Sequence, residues 1–283
     1  MIDLHTHSSR SDGTDTPAEL VAQAGEAGLT TLALTDHDTT AGWAEAAEAA
    51  QREGIALVRG AELSTRYDGG SIHLLAYLFD PDHEGLAAEM DRVIHDRLPR
   101  LQRIVERLGE DGFDITWEDV QAQLGEGRRT PSRPHIADAL VAKGYADHRD
   151  EIFRRWLHHG SRYYVPYYSI DTVTAIRLVR DAGGFAVLAH PFASRRQRAV
   201  SAESLPALVE AGLGGIEAEH RDQDEEEQML ARRLAAQHGL VVTGSSDFHG
   251  DGKLNRLGEN TTAPEVLEWI EASTSGATPV IRP

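Results

Sequence analysis

Short apolar runs alternate with amphipathic helical segments over residues 1–80, and the same alternation returns from residue 169 onward. The run TLALT at 31–35 has the length and β-branched content of a buried strand. The segment at 41–53 is rich in Ala and Glu and ends at Gly54, as helices often do. Strand–helix alternation predicts parallel pairing, in a doubly wound sheet or a barrel. The predicted strands are residues 2–4, 31–35, 55–59, 72–78, 185–189, 215–218 and 240–243.

The middle of the chain has a different character. From residue 81 to 168, helical patterns follow one another without a clear strand between them, at 85–108, 117–124, 136–142 and 151–158. We interpret this stretch as an insertion. The sequence therefore predicts an α/β barrel domain made of residues 1–80 and 169–283, interrupted by a helical subdomain of residues 81–168.

Composition narrows the function. The 283 residues include 28 Lys and Arg against 46 Asp and Glu, a formal net charge of −18, which disfavours binding of extended duplex nucleic acid. Cysteine is absent, so disulfides, thiolate nucleophiles and thiolate metal sites are excluded. No signal-peptide pattern or membrane-length apolar run occurs, and we expect a soluble, cytoplasmic protein.

Histidine is frequent, with 14 residues, and many follow short apolar runs beside Asp or Glu. The carboxyl ends of strands converge on one face of a barrel, so residues distant in sequence would meet there. Imidazoles and carboxylates suit Zn, Mn and Fe. The candidates at predicted strand ends are His5, His7, Asp36, His37, Glu62, His73, His190, Glu217, Asp247 and His249.

Two pairs of these residues form local patterns. His5 and His7 alternate along a strand, so both rings can approach one ion from the same side. Asp247 and His249 have the same spacing. Each pattern alone also fits polar residues on a half-buried face or in a solvated loop. A single metal cluster would explain why His, Asp and Glu occur at all of these predicted strand ends.

The sequence around these candidate ligands resembles a known protein family. The chain resembles the PHP (polymerase and histidinol phosphatase) family of metal-dependent phosphoesterases in DLHTHSSRSDG, LALTDHDT, GAE at 60–62, SIHLLAYL, LAHP and SSDFHG, which occur in the family's order. The SRPHIA block at 132–137 is similar to that of a branch acting on nucleotides and RNA ends. That branch includes 3′,5′-nucleoside bisphosphate phosphatases and a 5′-3′ exoribonuclease.

The resemblance implies a distorted seven-stranded (β/α) PHP barrel that holds three divalent ions, with Mn²⁺ the first choice and Fe²⁺ or Zn²⁺ as alternatives. Asp12 stands in a Ser-Asp-Gly turn where some relatives have His. Asp36 is expected to orient a ligand ring through a hydrogen bond. The implied ligands are His5, His7, Glu62 and Asp247 for one ion, Glu62, His73 and His190 for the second, and Asp12, His37 and His249 for the third.

We expect hydrolysis of a nucleotide phosphomonoester, the 3′-phosphate of a nucleoside 3′,5′-bisphosphate, by a hydroxide that bridges the metals. The catalytic candidates are His190, His220 and Asp247. A 5′-3′ exoribonuclease acting on short RNA, an amidohydrolase-type C–N hydrolase and a non-catalytic scaffold stay open as alternatives. An amidohydrolase site usually needs a carboxylated lysine on a barrel strand, and both lysines, Lys143 and Lys253, lie outside the predicted strands.

Substrate binding in so acidic a chain needs local positive groups. Arg133 and His135, at the start of a predicted helix, are the first choice for contacting phosphate. Arg195 and Arg196 are the second choice, although Arg is simply the usual cation here, since only two of the 28 basic residues are lysines. The expected partner is a small phosphorylated nucleotide or a short RNA end, with no extended duplex and no membrane. The oligomeric state stays open.

Overall fold

The computed structural model describes residues 1–124, 130–158, 160–194 and 200–283. Its strands are β1 (Ile2–Asp3), β2 (Thr31–Leu34), β3 (Ala56–Tyr67), β4 (Gly70–Tyr77), β5 (Ile170–Asp171), β6 (Phe185–Ala189), β7 (Gly215–Glu219) and β8 (Val241–Gly244). They form one sheet in the order β1-β2-β3-β4-β6-β7-β8, with β5 beside β3. The predicted α/β fold with a nearly closed seven-stranded barrel is confirmed.

Helices pack on the outside of this sheet, and their ends follow local sequence signals. Helix α1 begins at a capping box, in which Thr16 and Glu19 bond each other's backbone N–H groups and Pro17 occupies the first turn. A single π-helical turn, Phe153–Leu157, follows α6, within the predicted helix 151–158. The helices are α1 (Pro17–Glu26), α2 (Trp43–Glu53), α3 (Glu84–Glu110), α4 (Trp117–Leu124), α5 (Arg133–Ala142), α6 (Arg149–Ile152), α7 (Thr172–Asp181), α8 (Leu205–Ala211), α9 (Glu225–His238) and α10 (Pro264–Ala272).

Strand direction differs from the prediction at one place. The β1-β2-β3 and β6-β7-β8 pairs are parallel, as expected, but β4 is antiparallel to both β3 and β6. The reason is a two-residue turn at Asp68 and Gly69, both with positive φ, which reverses the chain directly and leaves no room for a crossover helix. The predicted strand at 55–59 is also too short, because β3 continues to Tyr67.

The barrel closes where β1 approaches β8. Thr6 pairs with Phe248, His7 N–H donates to the Phe248 carbonyl at 2.9 Å, and Thr262 N–H donates to the Ile2 carbonyl at 2.9 Å. Asp3 reinforces this seam, because its buried carboxylate accepts the N–H of Ser246 and of Gly258. Burial outweighs these hydrogen bonds and raises the pKa of Asp3 to about 6.

Three hydrophobic clusters make up the core. Alternate residues of the strands face either the covering helices, as Leu57 does, or the barrel interior, as Val58 does. Helix α10, which the apolar pattern did not predict, adds Leu267 and Ile270 to the interior cluster. The third cluster contains only side chains of the helical segment. The domain boundaries at residues 81 and 168 stay a prediction.

No helix in the described ranges is both long and apolar enough to cross a membrane.

Replacement of Tyr77 by Phe tests the packing of the barrel interior. The Tyr77 hydroxyl is fully buried and donates to the Leu4 carbonyl at 2.8 Å. Its loss leaves a buried carbonyl without that donor, so we expect the free energy of unfolding to fall by about 1–2 kcal/mol. Urea denaturation measures this change. Tyr67→Phe, at the partly exposed end of β3, is the matched control and should change stability by less than about 0.5 kcal/mol; equal effects would contradict the assigned role of the Tyr77 hydroxyl.

Candidate metal centre

The predicted ligands lie together at the carboxyl ends of the parallel strands. Loops after β1, β2, β6 and β8 carry seven of them, while Glu62 and His73 come from within the β3–β4 hairpin, which extends past the neighbouring strands. All but His73 are buried. The nine side chains that the fold brings together are His5, His7, Asp12, His37, Glu62, His73, His190, Asp247 and His249.

Four of these side chains surround one point. Nε2 of His5 lies 3.0 Å from Nε2 of His7, 3.2 Å from Glu62 Oε2 and 3.4 Å from Asp247 Oδ1. Nε2 of His7 lies 3.0 Å from Glu62 Oε2 and 3.4 Å from Asp247 Oδ1. Donor atoms that share an ion at about 2.1 Å are expected to stand roughly 3.0–3.4 Å apart. The spacing of this group fits a bound divalent ion.

Glu62 faces more than one donor group. Its Oε2 also lies 3.2 Å from His37 Nδ1, while its Oε1 lies 2.7 Å from His73 Nδ1 and 3.4 Å from His190 Nε2. The two oxygens of one carboxylate thus point to different sets of imidazoles. A carboxylate in this position can bridge two ions.

A third group gathers around Asp12. Its Oδ1 lies 3.2 Å from His249 Nε2, and its Oδ2 lies 3.8 Å from His37 Nε2. Asp12 Oδ1 and His249 Nε2 are buried, yet neither makes a hydrogen bond. His249 uses its other nitrogen, Nδ1, to donate to the Asp247 carbonyl at 2.8 Å, which leaves the Nε2 lone pair directed at Asp12. Buried donor atoms without a proton partner are what a metal site requires.

The loop that carries Asp12 is held by Asp36. The buried Asp36 carboxylate accepts the N–H and hydroxyl of Ser8 at 2.8 and 2.6 Å and the hydroxyl of Ser11 at 2.6 Å. Its hydrogen bonds therefore go to the loop and not to a ligand ring, which differs from the prediction. At Gly13 an added Cβ would lie 2.4 Å from the His7 carbonyl oxygen, so only glycine permits this turn.

A second carboxylate, Glu217, contacts His5 and the backbone of His190 from outside the group. Glu217 is fully buried, and its Oε1 lies 3.1 Å from His5 Nδ1 while its Oε2 accepts the backbone N–H of His190 at 2.8 Å. A proton on Nδ1 of His5, donated to Glu217, leaves Nε2 free to bind an ion.

His220 lies behind Asp247 and has no exposure to solvent. Its Nδ1 accepts the N–H of Asp222 at 3.1 Å, and its Nε2 lies 3.5 Å from Asp247 Oδ2 without making a hydrogen bond. His190, His220 and Asp247 thus form a further group of side chains that could hold an ion. His190 and Asp247 also have positive φ angles, of 32° and 53°, which cost free energy and are typical of functional positions.

The electrostatics of the centre demand positive charge. Burial alone would raise the pKa of Glu62, but the adjacent His73, His37 and His5 hold it well below the usual range. Burial alone would likewise lower the pKa of His7, but Asp247 and Glu62 raise it to about 9. The pKa of Glu62 thus favours the ionised carboxylate, which is the form that binds a divalent ion.

Helix α3 carries two buried arginines that the sequence did not single out, and the first of them, Arg97, is close enough to Asp12 to interact with its charge. Arg97, on α3, donates to the buried Asp38 carboxylate and to the Ser64 hydroxyl. Asp38 follows His37 directly, and its other oxygen accepts the Ser64 N–H at 2.7 Å. This pair therefore connects the helical segment with the two strands that supply His37 and Glu62.

Arg100, one turn further along α3, is 6% exposed and has no acidic partner in the described ranges. Its Nε donates to the Val165 carbonyl at 2.8 Å, its guanidinium lies 4.1 Å from the Tyr167 ring centre, and its buried Nη2 makes no hydrogen bond. Burial and repulsion from Arg133 lower the pKa of Arg100 to about 10. Arg100 and Arg133 are thus neighbouring cations, and a cation such as Arg100 that lacks a carboxylate partner suits an anionic ligand.

The predicted substrate-binding residues have different surroundings. Arg133 donates to the Leu157 carbonyl at 2.7 Å and, like Arg100, has no ion-pair partner within the part of the chain that is described. His135 is buried and caps α5, because its Nδ1 accepts the N–H of Ser132 at 3.1 Å. Arg195 and Arg196 lie outside the described residues.

A (β/α) barrel with a buried cluster of imidazoles and carboxylates at its carboxyl end defines a class of protein, the barrel hydrolases that use divalent metal ions. Comparison with known proteins identifies the family. The PHP domain profile matches residues 3–158, more than half of the chain, so this chain belongs to the PHP family. It is a metal-dependent phosphoesterase, with several clusters able to bind metal.

Curated relatives cover nearly the whole chain. A phosphoribosyl 1,2-cyclic phosphate 1,2-diphosphodiesterase of Eggerthella lenta is 36% identical, over 90% of this chain and 97% of its own length. A 3′,5′-nucleoside bisphosphate phosphatase of Chromobacterium violaceum is 33% identical, over 95% and 94%. The 5′-3′ exoribonuclease Rnm of Escherichia coli is 34% identical, over 95% and 92%.

Solved structures agree on the fold. A Bifidobacterium adolescentis protein, provisionally described as a metal-dependent phosphoesterase, is 44% identical and superposes with a TM-score of 0.94 over 96% of both chains. A sulfate-bound, metal-free C. violaceum protein described as an amidohydrolase is 30% identical, with a TM-score of 0.88 over 99% of this chain and 97% of its own.

Substitution of Glu217 by Gln tests the support of the centre. The neutral amide weakens the hold on His5 and on the His190 backbone, so we expect affinity for at least one ion to fall about 10–100-fold. Titration of the chelator-stripped protein with Mn²⁺, followed by metal analysis, measures this. Glu219→Gln is the matched control, since Glu219 lies two residues away on β7 and pairs with Arg232 at the surface. Unchanged Mn²⁺ affinity in the Glu217 variant would contradict the role.

Proposed function

We propose that the protein removes the 3′-phosphate of a nucleoside 3′,5′-bisphosphate, with three divalent ions, Mn²⁺ first, held by the nine side chains of the centre. One observation carries this proposal: Arg100 and Arg133 are close enough to repel each other, and neither has an ion-pair partner in the described ranges. Arg97, one turn from Arg100 on α3, is close enough to Asp12 of the metal centre to interact with its charge. A substrate with two phosphates matches both features, one phosphate at the ions and the other at the arginines.

The relatives' names support a substrate of this kind. The Chromobacterium relative acts on a bisphosphate, and the Eggerthella relative's substrate carries a phosphate on the ribose besides the cyclic one. RNA, the substrate of the Escherichia relative, has one phosphate per nucleotide. A non-reacting phosphate is therefore common to all three.

Each part of the site has a separate task in the proposed reaction. Divalent ions bound at the centre supply charge that stabilises the phosphoryl group in the transition state and lower the pKa of water. The chain's own residues hold the donor atoms in place: Glu217 fixes His5, Asp36 fixes the loop of Asp12, and His220 supports Asp247. Arg100 and Arg133 hold the substrate by its second phosphate.

A 5′-3′ exoribonuclease activity on short RNA is the second candidate, favoured by the Escherichia relative. The same arginines could contact a phosphate of the RNA backbone. The products separate the two activities, because an exoribonuclease releases nucleotides in a ladder while a phosphatase releases inorganic phosphate alone.

Two further alternatives have less support. A C–N hydrolase with a carboxylated lysine needs that lysine on a barrel strand, but Lys143 ends α5 and Lys253 follows β8 in a loop. A non-catalytic scaffold would have no need to retain the complete set of nine side chains. The nucleotide or RNA-end partner and the cytoplasmic location stay predictions, as does the expected absence of duplex binding.

The central experiment is phosphate release from adenosine 3′,5′-bisphosphate by chelator-stripped protein with and without added Mn²⁺. We expect release only with the metal, and we expect Asp247→Asn to lower kcat by about 100-fold or more while the circular dichroism spectrum stays unchanged. Asp251→Asn, at an exposed acid four residues away, is the control. Absence of phosphate release by the wild type would show that this bisphosphate is not the substrate. Near-normal kcat in the Asp247 variant with metals bound would contradict the role of Asp247.

A second experiment addresses the arginines. Hydrogen bonds to charged groups are worth about 1.5–3 kcal/mol, so we expect Arg100→Met or Arg133→Ala to raise KM for adenosine 3′,5′-bisphosphate about 10-fold or more. The KM for adenosine 3′-phosphate, which lacks the second phosphate, should change little. Arg103→Met serves as the control, because Arg103 lies one turn along α3 and pairs with Glu106 and Glu110 in solvent. An equal increase in KM for both substrates would show that the arginines do not recognise the second phosphate.

A further inference from the structure

Lys253 is the one cationic side chain in the described ranges that forms an ion pair with a carboxylate of the metal centre. Its Nζ lies 2.8 Å from Asp247 Oδ2, and the side chain is 23% exposed, so it stands between the centre and solvent. Asp247 thus faces two ways. Its Oδ1 points at the two histidines of the first donor group, and its Oδ2 points at the lysine.

The loop that carries Lys253 is fixed on both sides. Before the lysine, Asp251 N–H donates to the Thr14 hydroxyl at 2.9 Å. After it, the Leu254 carbonyl accepts a hydrogen bond from Arg221, and Asn255 donates to the Ser246 carbonyl at 2.6 Å. The ammonium is therefore held at this place by the backbone around it, and its position does not depend on the ion pair alone.

We propose that Lys253 binds the reacting phosphate directly, as a substrate-binding residue at the entrance of the metal centre. The ammonium has three N–H groups, and one of them is used by Asp247. No other hydrogen bond of this ammonium is found in the described ranges, and its 23% exposure lets an anion approach it next to the carboxylate of Asp247. A compact ammonium suits a single phosphoryl oxygen, whereas the guanidinium groups of Arg100 and Arg133 suit the second phosphate.

This inference rests on the phosphoesterase activity but not on the identity of the nucleotide. Inorganic phosphate, the product of any phosphomonoester, can therefore serve as the probe. If adenosine 3′,5′-bisphosphate is not a substrate, the proposed function fails, while the test of Lys253 with phosphate stays valid.

The chain offers an internal control for a labelling experiment, because Lys143 is its only other lysine. Lys143 is similarly exposed, at 27%, and pairs with Asp119 at 3.0 Å on the helical segment. The Mn²⁺-loaded protein is acetylated with and without saturating inorganic phosphate, and the modification of each lysine is followed by peptide mass spectrometry. We expect phosphate to slow acetylation of Lys253 about 5-fold or more and to leave Lys143 unchanged.

Variants separate phosphate binding from support of Asp247. We expect Lys253→Met to weaken phosphate binding to the Mn²⁺-loaded protein about 10-fold or more, to keep the wild-type Mn²⁺ content, and to be partly rescued by Lys253→Arg. Lys143→Met should change none of these. Equal acetylation of Lys253 with and without phosphate would overturn the proposal, as would unchanged phosphate affinity in Lys253→Met. Loss of bound Mn²⁺ in that variant would also overturn it, because the lysine would then act only on Asp247.

Discussion

Three carboxylates, those of Asp12, Glu62 and Asp247, are buried together at one end of the barrel, and the rest of the site follows from that burial. Negative charge removed from water must be compensated nearby. The surrounding strand ends supply imidazoles, which can stay neutral and bind an ion or take up a proton. Glu217 is also buried, so it adds to this negative charge, and its contact with Nδ1 of His5 favours the tautomer that leaves Nε2 free to bind an ion.

Much of the fold could be predicted from the sequence because the strands are buried on both faces and appear as short apolar runs. β6 was predicted to the residue, and β2, β7 and β8 to within one. The error at β3 has a physical cause. Its second half contains Glu62, Ser64 and Thr65, polar residues that resemble a loop, yet they face the metal centre and the neighbouring helices from within a strand. The two-residue β5 is too short to leave a pattern.

The site was predictable where its residues follow strands, because strand ends meet on one face whatever their separation in sequence. In the helical segment, no comparable rule predicts which side chains lie near the site. Arg97 and Arg100 stand among many arginines of a long amphipathic helix, and nothing in their spacing distinguishes them from the exposed Arg103. Lys253 lies in an irregular loop, where sequence does not set side-chain neighbours. Asp36 was identified as important, but its contacts with Ser8 and Ser11 depend on a turn that the sequence did not define.

The helical segment has a hydrophobic cluster of its own, and it also carries Arg97, Arg100 and Arg133. The donor atoms for metal all come from the barrel. If the arginines bind substrate as proposed, the metal-binding side chains and the substrate-binding side chains come from different parts of one polypeptide. Under this division, substitutions in the helical segment would change substrate preference and leave the metal-binding side chains unchanged. Related proteins could then share one metal centre and act on different phosphoesters.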